Sequence, residues 1–152
     1  VLFQIIPKCF KNNIFKEELV KDFPNESMYD SSTSTKKALD WLLDDAFMLS
    51  RNGEYDCSKF MIERFILKVI EINQGKSGAT WSRSGISQCQ WDVVECNRGY
   101  ITDIAFQNYG FVGKLPPLLG KLTNLISITF SGNQLTGKLP SEINQLTALQ
   151  KL

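Results

Sequence analysis

The sequence predicts an α/β solenoid: a helical N-terminal cap, then stacked coils sharing a parallel β-sheet, truncated at the C-terminus. Three observations predict it. First, residues 113–152 repeat with a period of 24, because Gly113-Lys114-Leu115-Pro116 returns as Gly137-Lys138-Leu139-Pro140. Leu119, Leu122, Leu125 and Ile128 answer to Ile143, Leu146, Leu149 and Leu152, and Ile104, Phe106 and Phe111 to Ile128, Phe130 and Leu135. Such self-similarity marks units that bury their apolar faces only on one another. Second, two helical stripes precede the repeat. Third, a Cys–Trp–Cys segment joins the two parts.

Residues 1–34 read as an arm or linker. Asn12-Asn13, Pro24-Asn25 and Ser31-Ser32-Thr33-Ser34 are turn chemistry, and Asn25-Glu26-Ser27 is a glycosylation acceptor triplet with Asn25 as its candidate residue. The cap spans 35–100. Its first helix starts near Thr35, with Ser34 or Thr35 as N-cap, and carries Leu39, Leu42, Leu43, Ala46 and Phe47 on one face. Trp41 lies off that stripe.

A second helix runs from about Ser58 to Asn73, capped by Asp56 or Ser58 and stopped by Gly75. Phe60, Met61, Phe65, Ile66, Val69, Ile70 and Ile72 supply its apolar side, while Lys59, Glu63, Arg64, Lys68 and Glu71 are expected to keep the other side wet. Gly75-Lys76-Ser77 imitates the tail of a phosphate loop, but Ile70 stands where that loop needs glycine and no strand precedes it. Trp81 sits in a Gly/Ser-rich stretch. Cys89-Gln90-Trp91-Asp92-Val93-Val94-Glu95-Cys96 follows as a lid over apolar surface, sealed by Trp91.

The repeats occupy 101–152. Ile101–Phe106 and Leu125–Phe130 are the strands, with Leu125, Ile128 and Phe130 inward and Ser127 and Thr129 outward. Asn133 follows the second strand, and its amide suits a ladder that satisfies backbone groups where the chain turns. Leu152 falls within a repeat, so the sequence reads as a piece of a longer protein.

Composition narrows the function. The net charge is +1, so no basic stripe points to nucleic acid. No apolar run reaches the ~18 residues of a membrane helix. The four cysteines, Cys9, Cys57, Cys89 and Cys96, allow three pairings. With no histidine, a Cys/His zinc site or a Cys–His nucleophile has no partner, and disulfides in an oxidising compartment are favoured. Asp44 and Asp45 read as a solvated helix end, and Glu63 and Glu71 show no cleft. No cofactor, metal site or catalytic set is expected.

Residues 125–149 resemble the plant-type leucine-rich repeat: Leu125, Ile128, Phe130, Asn133, Leu135, Gly137, Leu139, Pro140, Ile143, Leu146 and Leu149 match its positions. The preceding coil keeps Ile101, Ile104, Phe106, Phe111, Gly113, Leu115 and Pro116, with Tyr109 in the asparagine position. Upstream, two helices, Trp81 and Cys89-x-Trp91-x-x-Val94-x-Cys96 resemble the N-terminal cap of receptor-like and secreted proteins of plants and of algae such as diatoms. Val93 stands where that motif usually has glycine. The resemblance implies a Cys89–Cys96 disulfide; Cys9 and Cys57 are then left either to pair with each other or with Cys57 free.

It also implies a non-catalytic extracellular or luminal recognition module for a protein, peptide or glycan ligand, bound on the concave face. Candidate residues there are Asp103, Gln107, Asn108, Ser127, Thr129 and Ser131. Two alternatives stand beside it. One is a structural subunit of an extracellular assembly, associating through the arm or the C-terminal edge. The other is an inhibitor of a secreted hydrolase.

Overall fold

The computed structural model describes residues 33–44, 57–73 and 81–152. The arm, Asn25, Cys9, the Asp56 cap, Ala46, Phe47 and the side chains of Leu43, Cys57 and Ser58 lie outside the described residues. Among the described residues two α-helices, α1 (Ser34–Leu43) and α2 (Cys57–Asn73), precede five short strands. These are β1 (Val94–Asn97), β2 (Tyr100–Ala105), β3 (Val112–Gly113), β4 (Ser127–Thr129) and β5 (Gln134–Leu135). Single 3-10 turns at Gln88–Gln90, Pro117–Lys121 and Ser141–Gln145 complete the path.

Helix α1 starts at Ser34, and its cap is Thr33 rather than Ser34 or Thr35: the Thr33 hydroxyl accepts the Lys36 N–H at 3.1 Å. Ala38 and Leu42, four apart, are fully buried, and Leu39 is half-buried. Trp41 packs edge-on to Trp91 at 6.1 Å between ring centroids.

Helix α2 departs most from expectation. It has no wet side of the kind its charges suggest, because Glu63 and Arg64 are as buried as Phe65 and Ile66. Arg64 and Glu71 are answered mainly by residues distant in sequence. The Arg64 guanidinium lies 4.7 Å from the Trp91 ring centroid and 5.2 Å from that of Trp41, and donates to the Arg83 carbonyl at 3.2 Å. The Trp91 indole donates to the same carbonyl at 3.1 Å. Glu71 accepts the backbone N–H groups of Trp81 and Ser82 at 2.9 and 3.0 Å, the Ser82 hydroxyl, and Lys68. Charge-assisted bonds of this sort offset the desolvation of the carboxylate. Glu71 thereby holds the Trp81–Ser82 segment against α2, and Trp81 reaches the repeat core through Phe106, 5.0 Å away.

The larger sheet has the order β1-β2-β4. The cap's own strand β1 runs antiparallel to β2, joined by a turn in which Arg98 and Gly99 both have positive φ. β2 and β4 are parallel, pairing Asp103 with Ser127, Ile104 with Ile128 and Ala105 with Thr129, the 24-residue spacing of the sequence. Lys151 extends the set by a single bridge to Ser127.

On the other side of the coils, β3 and β5 pair Val112 with Gln134 and Gly113 with Leu135. Phe111 therefore does not sit directly under Leu135: this pairing is slipped by two residues from the 24-residue period. An even slip keeps each side chain on its own face, which a one-residue slip would not.

Where the chain leaves the large sheet, Asn133 links both coils. Its amide nitrogen donates to the carbonyls of Phe130, at 2.7 Å, and Phe106, and its oxygen accepts the Phe111 N–H at 3.0 Å. Tyr109 instead packs on Phe106 and Phe111, with ring centroids 6.2 and 6.0 Å away. A side chain from the second coil thus serves the first.

Replacing Asn133 by alanine leaves one backbone donor and two acceptors short of partners. We expect a loss of about 2–4 kcal/mol in urea unfolding. Asn133→Asp should be no rescue, because a carboxylate would face the Phe106 and Phe130 carbonyls that the amide now satisfies.

Candidate functional site

The three-stranded sheet buries Val94, Ile104 and Ile128 on one face and turns the alternate residues outward. Cross-strand pairing aligns those outward residues into two rows. Ala105 and Thr129 form the first. The second runs Glu95, Asp103, Ser127, Lys151, each the direct partner of the next. Neighbouring strands lie ~4.8 Å apart, so a carboxylate pair and an ammonium group stand on one polar strip, separated by Ser127. Like charges directly opposite each other are unfavourable in isolation. Here both are open to solvent or partly so, and Asp103 is half-buried.

The sequence-derived candidates divide into two groups. Asp103, Ser127 and Thr129 lie on the sheet face. Gln107, Asn108 and Ser131 lie in the turns that follow β2 and β4. Asn108 has φ of 58°, and its N–H donates to the Ser131 carbonyl at 3.0 Å. Its side-chain oxygen occupies the space a Cβ at residue 132 would need, only 1.8 Å away, so Gly132 must lack one. Asn108 therefore serves the stacking of the two turns as well as their surface.

Glu95 and Lys151 belong to the row but were not among the sequence candidates. Lys151 was accessible to the same reasoning, since it follows Ser127 by the repeat period. Glu95 was hidden inside the cysteine motif, where nothing in the local pattern announces a strand.

Cys89 and Cys96 are bridged, with Cα atoms 5.5 Å apart. The bridge closes the 3-10 turn Gln88–Gln90 onto β1, and that turn carries a capping box between Ser87 and Gln90. Trp91, within the loop, is buried between Arg64 and Trp81. The loop thus fixes β1, and with it Glu95, at the edge of the sheet.

Among the described residues no group of three or more His, Cys, Asp and Glu side chains could hold a metal ion, and no helix is long and apolar enough to cross a membrane.

No family model matches the chain. Similarity to curated proteins falls on plant receptors. The chain is 36% identical over 80 residues, 51% of its length and 7% of the relative, to the LRR receptor-like serine/threonine-protein kinase RGI3 of Arabidopsis thaliana. It is 42% identical over 60 residues, 38% of its length and 7% of the relative, to the receptor-like kinase TMK2 of the same plant. Cuscuta receptor 1 of Solanum lycopersicum is 35% identical over 88 residues, 57% of the chain and 7% of that protein. The chain spans about 7% of the length of these relatives. Its similarity to the LRR receptor-like kinases falls on their non-catalytic leucine-rich-repeat ectodomain.

Converting both Cys89 and Cys96 to alanine releases a loop with a sequence separation of 7. Loop-closure entropy puts the expected loss at about 2–3 kcal/mol in urea unfolding. Near-ultraviolet circular dichroism should register loosening of Trp91. An unchanged midpoint would mean that packing of Trp91 alone holds the loop.

Proposed function

We propose that this chain is the opening of an extracellular, non-catalytic recognition domain: a leucine-rich-repeat solenoid in which residues 35–100 are the cap and 101–152 the first repeats. Its outward sheet face, the concave side of such a solenoid, binds a protein or peptide. One observation carries the reading. The disulfide-closed cap contributes β1 to the same sheet as the repeat strands, so cap and repeats present one continuous polar row, Glu95–Asp103–Ser127–Lys151. Homology to receptor ectodomains and the disulfide support a secretory or extracellular setting.

The row consists of small or charged side chains without an aromatic anchor. Residues of this kind give orientation and on-rate more than affinity. Recognition here then works as one end of a longer contact surface.

Association through the end of the repeats is the second reading. Leu115, Phe130, Leu135, Leu139 and Leu152 line an apolar groove of about 380 Å³, and Leu139 and Leu152 are more than half exposed. Sedimentation of the chain at rising concentration separates the two readings: a dimer broken by Leu152→Glu supports association, and a monomer throughout removes it.

For recognition, peptides from a random display library selected on the wild-type chain are compared on an Asp103→Arg/Thr129→Arg variant. Both substituted side chains are at least partly open to solvent, so the melting temperature should be unchanged while the selected peptides bind at least about tenfold more weakly. Selected peptides that bind both proteins equally would place recognition elsewhere.

A further inference from the structure

The seam between the helical cap and the first repeat strand contains a carboxyl group whose bonding is incomplete. Glu63 of α2 is 1% exposed. Its Oε2 accepts the Ile101 N–H at 3.3 Å, beside the bulge that interrupts the β1–β2 ladder. Its Oε1 has no partner. Gln88 is fully buried on the 3-10 turn of the disulfide loop, and neither its Oε1 nor its Nε2 makes a hydrogen bond. The Gln88 amide lies close enough to favour the charged form of Glu63 as a hydrogen-bonding neighbour, yet it falls short of full hydrogen-bond geometry. Three buried polar atoms from two elements therefore share one site with unmet bonding capacity, an arrangement that is unfavourable if left so.

We propose that Glu63 and Gln88 form a proton-operated latch across the cap–repeat seam. With the carboxyl protonated, Glu63 Oε1–H donates to Gln88 Oε1 while Oε2 keeps the Ile101 amide. One side chain then ties α2, the disulfide loop and β2 together. With the proton gone, the seam encloses a carboxylate and loosens. Turning the Gln88 amide to present Nε2 supplies one bond to the charged form but does not remove the cost of burying it.

The electrostatics agree with this geometry. Burial pushes the Glu63 carboxyl up to about 7 from 4.5, against the opposing pull of the Ile101 N–H, of Lys59 and of Gln88. Lys59, on the same helix, is the charged group that acts on it, and the Lys59 ammonium also lies 4.8 Å from the centre of the Tyr100 ring of β2. Arg64, next in sequence, is turned into the Trp41–Trp91 pocket. Among the described residues, Lys36, Lys37, Asp40 and Asp44 of the α1 segment, Lys121 of the 3-10 turn packed on α2, and Glu95 and Asp103 of the sheet are the other charges on neighbouring elements.

The sign follows from the direction of the shift. The native state holds a proton that the unfolded chain releases between pH 4.5 and about 7. Stability from this group is complete below that window and is lost as pH rises through it.

The test is urea unfolding of the full 152-residue chain across this window, for wild type and Glu63→Gln. Glutamine is neutral at every pH and keeps an acceptor for Ile101. Relative to Glu63→Gln, the wild-type folding constant should fall by a factor on the order of 10² between about pH 5 and about pH 8. In parallel, hydrogen exchange at the Ile101 amide of the wild type, corrected for intrinsic rate, should lose protection over the same range. Identical pH profiles for the two proteins would overturn the latch, as would unchanged Ile101 protection. If Glu63→Gln does not fold, the exchange measurement and a ¹³C titration of the Glu63 carboxyl in the wild type decide it. Titration in the ordinary carboxylate range overturns the proposal. None of these readouts depends on a ligand.

Discussion

Stacked coils must turn corners, and each corner aims backbone groups inward where water cannot reach them. In this chain the Asn133 amide meets that requirement for two coils at once, through Phe130, Phe106 and Phe111. The other regularities depend on it. With the corner satisfied, Ile104 and Ile128 stack in register, Phe106, Phe111 and Phe130 pack as one aromatic group, and the outward residues align across strands. Tyr109 can occupy the equivalent corner of the first coil because Asn133 reaches back and leaves the tyrosine ring to pack instead of bond.

The repeat was legible in the sequence because its physics is local and recurrent. Leucine, asparagine, glycine and proline return at fixed intervals, and each return reports the same environment. The parallel pairing of β2 with β4 follows directly from that interval. The slip of β3 against β5 does not, since both registers keep the same side chains inside and the sequence cannot tell them apart. Strand β1 was hidden for another reason: its alternation is only four residues long and interrupted by a disulfide cysteine.

Helix α2 shows where a single-helix argument fails. Glu63, Arg64, Lys68 and Glu71 were placed on a wet side by their chemistry alone. Their partners, Ile101, Trp91, Arg83, Ser82 and Trp81, are supplied by later segments that wrap the helix. A charged residue is exposed by default only when no other segment can satisfy it, and that condition cannot be read from the helix itself. The same wrapping turns a surface-like sequence into the central element of the cap, and makes the cap's charged groups part of the interior. The sheet-face residues were easier, because outward alternation needs only the strand period.

The two sides of the coils pair differently, in register along β2–β4 and slipped by two residues along β3–β5. The first coil therefore takes nine residue steps from Asp103 to Val112 where the second takes seven from Ser127 to Gln134, although both pairs of positions are neighbours in space. The two extra residues are absorbed in the corner between β2 and β3, where Tyr109 packs, and not in the large sheet. The rows written on that sheet keep their neighbours from one coil to the next while the corner is free to vary in length.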